Sequence, residues 1–220
     1  MITYIPDVAV TSRMGRSVKE PYRQLLSLAA SQGGLFTSAQ AQAHGIARPQ
    51  HSRYVTSGEW AREAHGIYRV SALPETDPVK SQYHLWLLWS IGRDGKNQAA
   101  FAYETALAIY SLSDLQPAKI HLSVPQRFRR SVVPKVVQLH KEERNAAKEV
   151  WDWEGLRVVR PFQTIVDLIR EERVSPEHVE KGFIDGIKSG LINRDDGSSP
   201  QLSPRERRLF ATWTSRGGRA

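Results

Sequence analysis

The sequence predicts a mixed α/β (α+β) protein in which a small N-terminal winged helix-turn-helix domain precedes a larger α/β domain. Between residues 20 and 73, apolar spacings typical of helices and strands follow one another in the order helix, strand, helix, helix, hairpin. Residues 71–78 contain two prolines and no periodicity, which indicates a boundary. Beyond it, short strand patterns alternate with helical ones, as expected for an α/β domain.

Composition indicates a globular chain that lacks cysteine chemistry. Of its residues, 40% are hydrophobic and 25% are charged, and none is cysteine. This excludes disulfides, thiolate metal sites and a cysteine nucleophile. The first twenty residues carry no signal-peptide core, and the longest apolar run, residues 83–91, is too short to span a bilayer. We therefore expect a cytoplasmic protein with no membrane contact.

Charge is unevenly distributed along the chain. The net charge is +8, and basic residues outnumber acidic ones in residues 1–73 and again in residues 119–148. In residues 149–196 the acidic residues are in excess. The excess of basic residues in the N-terminal part and of acidic residues in 149–196 predicts that the N-terminal part binds a polyanion. Nucleic acid is the leading candidate.

The N-terminal domain is predicted over residues 20–73, after a flexible arm of residues 1–19. Its expected elements are a first helix from Pro21 to Gly33, a strand at residues 35–36, a second helix capped by Thr37 or Ser38, and a third helix from Pro49 to Ser57. Residues 59–64 and 67–70 are predicted strands, and His65-Gly66 provides a two-residue turn between them. The third helix then corresponds to the recognition helix and the hairpin to the wing.

The second domain is predicted over residues 79–194, with a loop, a helix and a tail in residues 195–220. Its expected helices cover residues 79–91, 104–110, 163–171, 176–189 and 204–214. Its expected strands cover residues 99–101, 119–124 and 136–140, followed by a hairpin at residues 151–159.

Base recognition requires exposed donors on one face of the third helix and apolar residues on the other. We assign Tyr54 and Val55 to the inner face. His51 is open to two interpretations, packing inside the domain or contacting DNA. The complete predicted DNA-binding set is Arg23, Ser38, Arg48, Gln50, His51, Ser52, Arg53, Arg62, His65 and Arg69. The alternative is a solvated charged face on a winged helix that binds protein.

A second basic cluster lies between two predicted strands of the larger domain. It consists of Arg127, Arg129, Arg130 and Lys135. Such a cluster can bind phosphate or an acidic partner surface, or can serve solubility alone.

Motifs of enzymes are missing from the sequence, which has no P-loop, no GxSxG elbow and no HExxH. We expect no enzymatic activity, no metal and no cofactor. A metal-dependent nuclease built on Asp152, Glu154 and Asp167 is the remote alternative, although the spacing of these carboxylates is generic.

Several blocks of the sequence resemble AbiEi-type antitoxins, the transcriptional regulators of type IV toxin-antitoxin systems. In the first domain the similar blocks are residues 34–46, Gly58 and the segment His65-Gly-Ile-Tyr-Arg69. In the second they are residues 104–112, 120–125 and 161–168. Ala47 and His51 depart from the family pattern, which has a Ser or Thr cap and an aliphatic residue at these places.

The resemblance implies a repressor that binds inverted repeats in the double-stranded DNA of its own promoter. It also implies that the second domain counteracts a nucleotidyltransferase toxin of the AbiEii type, without requiring a stable complex. The alternative is a winged-helix regulator whose second domain senses a ligand or a protein and has no toxin partner.

Overall fold

The structure, a computed structural model, describes residues 19–75, 77–144 and 146–217. The chain divides into two compact units, Met1–Leu88 and Trp89–Ala220. The predicted arm of residues 1–19 lies outside the described residues except for Lys19. The domain bounds predicted above stay predictions, because compactness alone does not show which segments fold independently. No helix within the described residues is long and apolar enough to cross a membrane.

The first unit has the element order that the sequence predicted. Its elements are α1 (Lys19–Ser31), β1 (Leu35–Thr37), α2 (Ser38–Ala43), α3 (Arg48–Thr56), β2 (Trp60–Ala64), β3 (Ile67–Val70) and most of α4 (Pro78–Trp89). The strands pair antiparallel in the order β1-β3-β2. His65-Gly66 forms the predicted turn between β2 and β3, where the φ of +71° at Gly66 suits a glycine.

Aromatic rings form the core of the first unit. The Trp60 side chain is 1% exposed, and its ring centroid lies 4.5 Å from that of Tyr54 and 4.6 Å from that of Phe36. Tyr22 of α1 stacks on Tyr54 with the ring centroids 5.5 Å apart. Because α1, β1, α3 and β2 each contribute a ring, this cluster fixes α3 against the sheet.

The second unit is built on a mixed sheet with strand order β6-β5-β4-β8-β7. Its strands are β4 (Ala100–Phe101), β5 (Ile120–Val124), β6 (Val137–Lys141), β7 (Val150–Trp153) and β8 (Leu156–Val159), and its helices are α5 (Tyr103–Ile109), α6 (Ala146–Glu149), α7 (Pro161–Glu171), α8 (Pro176–Lys188) and α9 (Pro204–Gly217). The predicted fold class is confirmed. Helix α6 and a 3-10 turn at Arg194–Ser198 were not predicted, because both are too short to show a periodicity.

A buried capping box starts α9. The Glu206 carboxylate accepts hydrogen bonds from the backbone N–H of Ser203 at 2.6 Å and from Arg170 at 2.7 Å. In return, the Ser203 hydroxyl accepts from the Glu206 N–H at 3.2 Å. Chiefly because of the Arg170 hydrogen bond, the pKa of Glu206 falls from 4.5 to about 2.

We expect Glu206→Gln to lower the free energy of unfolding of the second unit by about 1 to 2 kcal/mol at pH 7. The folded-state pKa lies below the unfolded value, so the stabilisation is present above pH 4.5 and is lost as the pH falls toward 2. In urea denaturation the difference from wild type should therefore shrink by roughly half or more at pH 3. Asp195→Asn removes an exposed carboxylate and is the control. A Glu206→Gln difference that stays constant from pH 7 to pH 3 would contradict this assignment.

Candidate nucleic-acid interface

A capping box at the start of α2 and a glycine turn after it define the helix-turn-helix. Thr37 caps α2: its hydroxyl accepts from the Gln40 N–H at 3.1 Å, and the Gln40 side chain accepts from the Thr37 N–H at 2.7 Å. After α2 the chain turns at Gly45, whose φ of +78° favours glycine, and inserts Ile46 into the core. Arg48 then begins α3.

His51 belongs to the inner face of α3, where its ring centroid lies 5.4 Å from that of Trp60 and 5.7 Å from that of Tyr68. It is 3% exposed, and its Nε2 lies 3.0 Å from the Ile46 carbonyl oxygen. Since a carbonyl only accepts, Nε2 carries the proton, and Nδ1 accepts from the Ser38 hydroxyl at 3.3 Å. The prediction that His51 contacts DNA is therefore not supported by its position. Val55, predicted to point inward, is 36% exposed.

The outer face of α3 presents the predicted polar residues. Arg48, Ser52 and Arg53 are exposed, as is Gln50. The Gln50 side chain folds back, and its oxygen accepts from the Ala47 N–H at 2.8 Å. This bond is one half of a capping box; the other half is missing because alanine has no side-chain oxygen to accept from the Gln50 N–H. A base contact by Gln50 therefore requires it to exchange this bond for one to DNA.

The three wing residues predicted to contact DNA differ in their exposure to solvent. Arg62 and His65 are exposed, and the Arg62 guanidinium lies 5.8 Å from the Tyr68 ring centroid. The Arg69 side chain is only 17% exposed and pairs with Glu63 at 2.6 Å and Glu75 at 3.1 Å.

Arg69 is a structural residue of the first unit. Besides its two ion pairs, its guanidinium donates to the Gly33 carbonyl at 2.9 Å and to the Ser81 hydroxyl at 2.8 Å. It thereby joins the wing to the α1–β1 turn and to α4. Its predicted contact with DNA is not supported, because its donors are already used within the protein.

Arg23 and Ser38 lie on α1 and α2. The Arg23 side chain is 73% exposed and pairs with Glu20 at 2.9 Å. Because exposed ion pairs contribute little free energy, this one leaves Arg23 available to a phosphate. Ser38 is half-buried, and its backbone N–H donates to the Gly66 carbonyl at 2.8 Å, which ties α2 to the wing.

The exposed arginines of α3 and the wing are not neutralised by any of the residues that the structure describes. In the described ranges, no acidic residue forms an ion pair with Arg48, Arg53 or Arg62. Nearby acids are engaged elsewhere: Glu63 pairs with Arg69, and Glu59 accepts from Ser57 at 3.0 Å. This leaves a surface of unpaired positive charge, the feature that phosphate binding requires.

The basic cluster of the second unit lies in the loop between β5 and β6. Arg127 and Lys135 are exposed. Arg129 donates to the carbonyls of Gln126 and Phe128 at 2.9 and 3.0 Å.

Arg130 in the same loop donates hydrogen bonds to backbone carbonyls of the second unit. It donates to the Trp89 carbonyl at 2.7 Å and to the Ile91 carbonyl at 2.6 Å, and burial lowers the pKa of its guanidinium. Arg130 therefore shapes the loop, so its predicted role in binding phosphate or a partner is not supported.

The carboxylates of the nuclease alternative do not converge. Asp152 and Glu154 lie at the β7–β8 turn, whereas Asp167 of α7 is buried and accepts from Arg144 at 2.7 Å. Burial raises the pKa of Asp167, and Arg144 opposes this effect. In residues 19–75, 77–144 and 146–217, no group of three or more metal-ligating side chains is arranged to hold a metal ion.

One candidate site of the second unit could not be found from the sequence. A cavity lined by Arg173, Arg205 and Arg208 forms where two segments distant in sequence meet, residues 168–179 and residues 203–213. The run Arg205-Glu206-Arg207-Arg208 was its only local signal.

Comparison with known proteins agrees with this architecture. Residues 23–71 match the family described as "Transcriptional regulator, AbiEi antitoxin". Among solved structures, a match is the crystal structure of the RV2827C protein from Mycobacterium tuberculosis, with a TM-score of 0.53, 16% identity, and coverage of 90% of this chain and 77% of that one. At this identity the match shows a shared fold. The search of curated proteins gives no match. The predicted resemblance is thus confirmed: residues 23–71 carry the signature of the AbiEi antitoxin transcriptional regulators.

Proposed function

We propose that the protein is a cytoplasmic DNA-binding autorepressor that recognises inverted repeats in the double-stranded DNA of its own promoter. The observation that carries this proposal is the exposed set Arg48, Arg53 and Arg62 on α3 and the wing, which has no ion-pair partner among the described residues. The aromatic core supports it by fixing the angle of α3. The AbiEi match over residues 23–71 covers these elements.

Within this surface we assign different roles to different side chains. Arg48 and Gln50 lie in the first turn of α3, the part of a recognition helix that contacts base edges. Arginine reads guanine and glutamine reads adenine. Arg53, Arg62 and Arg23 contact phosphates, with Ser52 and His65 as additional polar contacts. Phosphate contacts determine affinity, and base contacts determine preference.

We expect Arg48→Ala to reduce the preference for operator over scrambled DNA by roughly 1 to 3 kcal/mol. Arg53→Ala, the matched control on the same helix, should weaken binding to both duplexes about equally, because a phosphate is present in every sequence. Competition binding with labelled operator and unlabelled scrambled duplex measures both effects. If Arg48→Ala leaves the preference unchanged, α3 does not read the bases through Arg48.

Autorepression is tested with a reporter gene under the protein's own upstream DNA. Wild-type protein should lower expression, and Arg48→Ala should restore it at equal protein level. If Arg48→Ala still represses the reporter, repression does not require Arg48 on the proposed DNA-binding surface.

We further propose that the second domain counteracts a nucleotidyltransferase toxin. The support is the sequence blocks at residues 104–112, 120–125 and 161–168, which resemble AbiEi-type antitoxins. Co-expression with a toxin-like gene encoded next to this one should restore growth, and Arg48→Ala should still do so. Failure to rescue growth would favour the second candidate, a regulator whose larger domain senses a ligand.

A further inference from the structure

A cavity of about 940 Å³ lies within the second unit, between the end of α7, the start of α8 and one face of α9. Part of its lining is apolar: Leu168, Val179 and Trp213 are almost completely buried there, and Leu209 is half-buried. Small-molecule sites combine a cavity of this size, roughly 300 to 1,000 Å³, with apolar walls and a few charged groups. The cavity can therefore accommodate the apolar part of a small organic molecule.

The charged part of the lining is predominantly basic. It contains four arginines and two acidic residues: Arg170, Arg173, Arg205, Arg208, Glu172 and Glu206. Arg170 is neutralised by Glu206 at 2.7 Å, and Arg173 Nε lies 3.4 Å from a Glu104 oxygen. Arg205 and Arg208 are exposed and have no ion-pair partner in the part of the chain that the structure describes. Two guanidinium groups are thus available to a bound anion.

The placement of these two arginines is unfavourable for the helix that carries them. Arg205 lies in the first turn of α9, where the aligned peptide dipoles make a cation destabilising, and Arg208 lies one turn further along the helix. Arg207 between them donates to the Leu202 carbonyl at 2.9 Å and so supports the turn. Within the described residues, neither Arg205 nor Arg208 has a hydrogen-bond partner of this kind. Departures from local rules of this kind are expected at functional sites.

We propose that this cavity binds an organic anion, a carboxylate or phosphate group carried on an apolar body. Arg205 and Arg208 hold the anionic group, since guanidinium groups bind both carboxylate and phosphate in paired hydrogen bonds. The apolar body lies against Leu209 and the small accessible part of Trp213. This site consists of residues of the second unit alone, and ligand binding there does not require the proposed DNA-binding surface of the first unit.

The first test is calorimetric titration of the full chain with three probes: decanoate, phenyl phosphate and inorganic phosphate. We expect saturable binding of decanoate or phenyl phosphate, at least about 10-fold tighter than that of inorganic phosphate, because only these probes bury apolar surface. Absence of saturable binding for both at millimolar concentration, or equal binding of all three probes, would overturn the proposal.

The second test uses paired variants. Arg205→Gln/Arg208→Gln should weaken probe binding at least about 10-fold, whereas the control Arg93→Gln/Arg194→Gln, which removes two exposed arginines elsewhere, should not. Without probe, the first variant should raise the unfolding midpoint of the second unit by roughly 1 to 3 °C, because it removes cations from the start of α9. Equal binding by both variants, or a lower midpoint, would show that the arginines serve structure rather than a ligand.

Discussion

Replacing Arg48, Arg53 and Arg62 together by alanine is expected to weaken operator binding by roughly 100- to 1,000-fold at physiological salt. These side chains are exposed and have no ion-pair partner among the described residues, so their removal affects DNA binding more than folding. The salt dependence should change as well. The slope of log affinity against log salt should become shallower by about 0.9 for each phosphate that the variant no longer neutralises. Fluorescence anisotropy of a labelled upstream duplex over a salt series measures both quantities.

The matched control is Arg93→Ala/Lys96→Ala/Lys188→Ala, which removes the same charge from exposed positions elsewhere. It should leave the salt slope unchanged and alter affinity by less than about threefold, because only long-range steering is reduced. Equal losses of affinity for the two triple variants would mean that net charge, rather than the α3 and wing surface, determines DNA affinity.

Trp60→Ala is expected to lower the free energy of unfolding of the first unit by about 3 to 5 kcal/mol. The indole is 1% exposed and packs on the rings of Tyr54 and Phe36 at centroid distances of 4.5 and 4.6 Å. Its removal leaves a cavity beneath α3 and abolishes the stacking that fixes the angle of the helix. Urea denaturation monitored by circular dichroism, together with operator binding below the transition, measures stability and function on one sample.

Trp60→Phe is the control for this prediction. It retains an aromatic ring in the cluster and should recover more than half of the stability that Trp60→Ala removes. If Trp60→Ala unfolds at the wild-type urea concentration, the aromatic cluster does not hold α3, and the proposed presentation of Arg48 would lose its structural basis.

The order of elements in the first unit was predictable, because each boundary has a local chemical signal. Thr37 with Gln40 forms a capping box, Gly45 marks the turn before α3, and His65-Gly66 marks the hairpin. These signals depend on neighbours within a few residues. Sequence reasoning therefore located α2, α3 and the wing within one or two residues.

The direction of individual side chains was harder to predict. The sequence leaves His51 open to two positions and places Val55 inward, whereas in the structure His51 is buried and Val55 is exposed. His51 can be buried because the Ile46 carbonyl and the Ser38 hydroxyl satisfy its imidazole inside the domain. The sequence predicts a DNA contact for Arg69, yet its guanidinium donates to the Gly33 carbonyl and to the Ser81 hydroxyl of α4. Such partners are set by tertiary structure, which hydrophobic periodicity does not show.

The arginine-lined cavity illustrates the same limit for the second unit. Its lining comes from the end of α7 with the adjoining start of α8, and from α9, which is about 30 residues further along the chain. The sequence showed only an unusual charge order, cations where a helix begins, and that pattern alone does not reveal an opposing apolar surface.

A gel shift with the protein's own upstream DNA against a scrambled duplex of equal composition, in moderate salt with competitor, tests the central claim most directly. We predict retardation of the upstream duplex at protein concentrations that leave the scrambled duplex free, and loss of that band with the Arg48→Ala/Arg53→Ala/Arg62→Ala variant. Equal retardation of both duplexes, or of neither, would contradict sequence-specific autorepression. Retardation of neither would favour the alternative of a winged helix that binds protein.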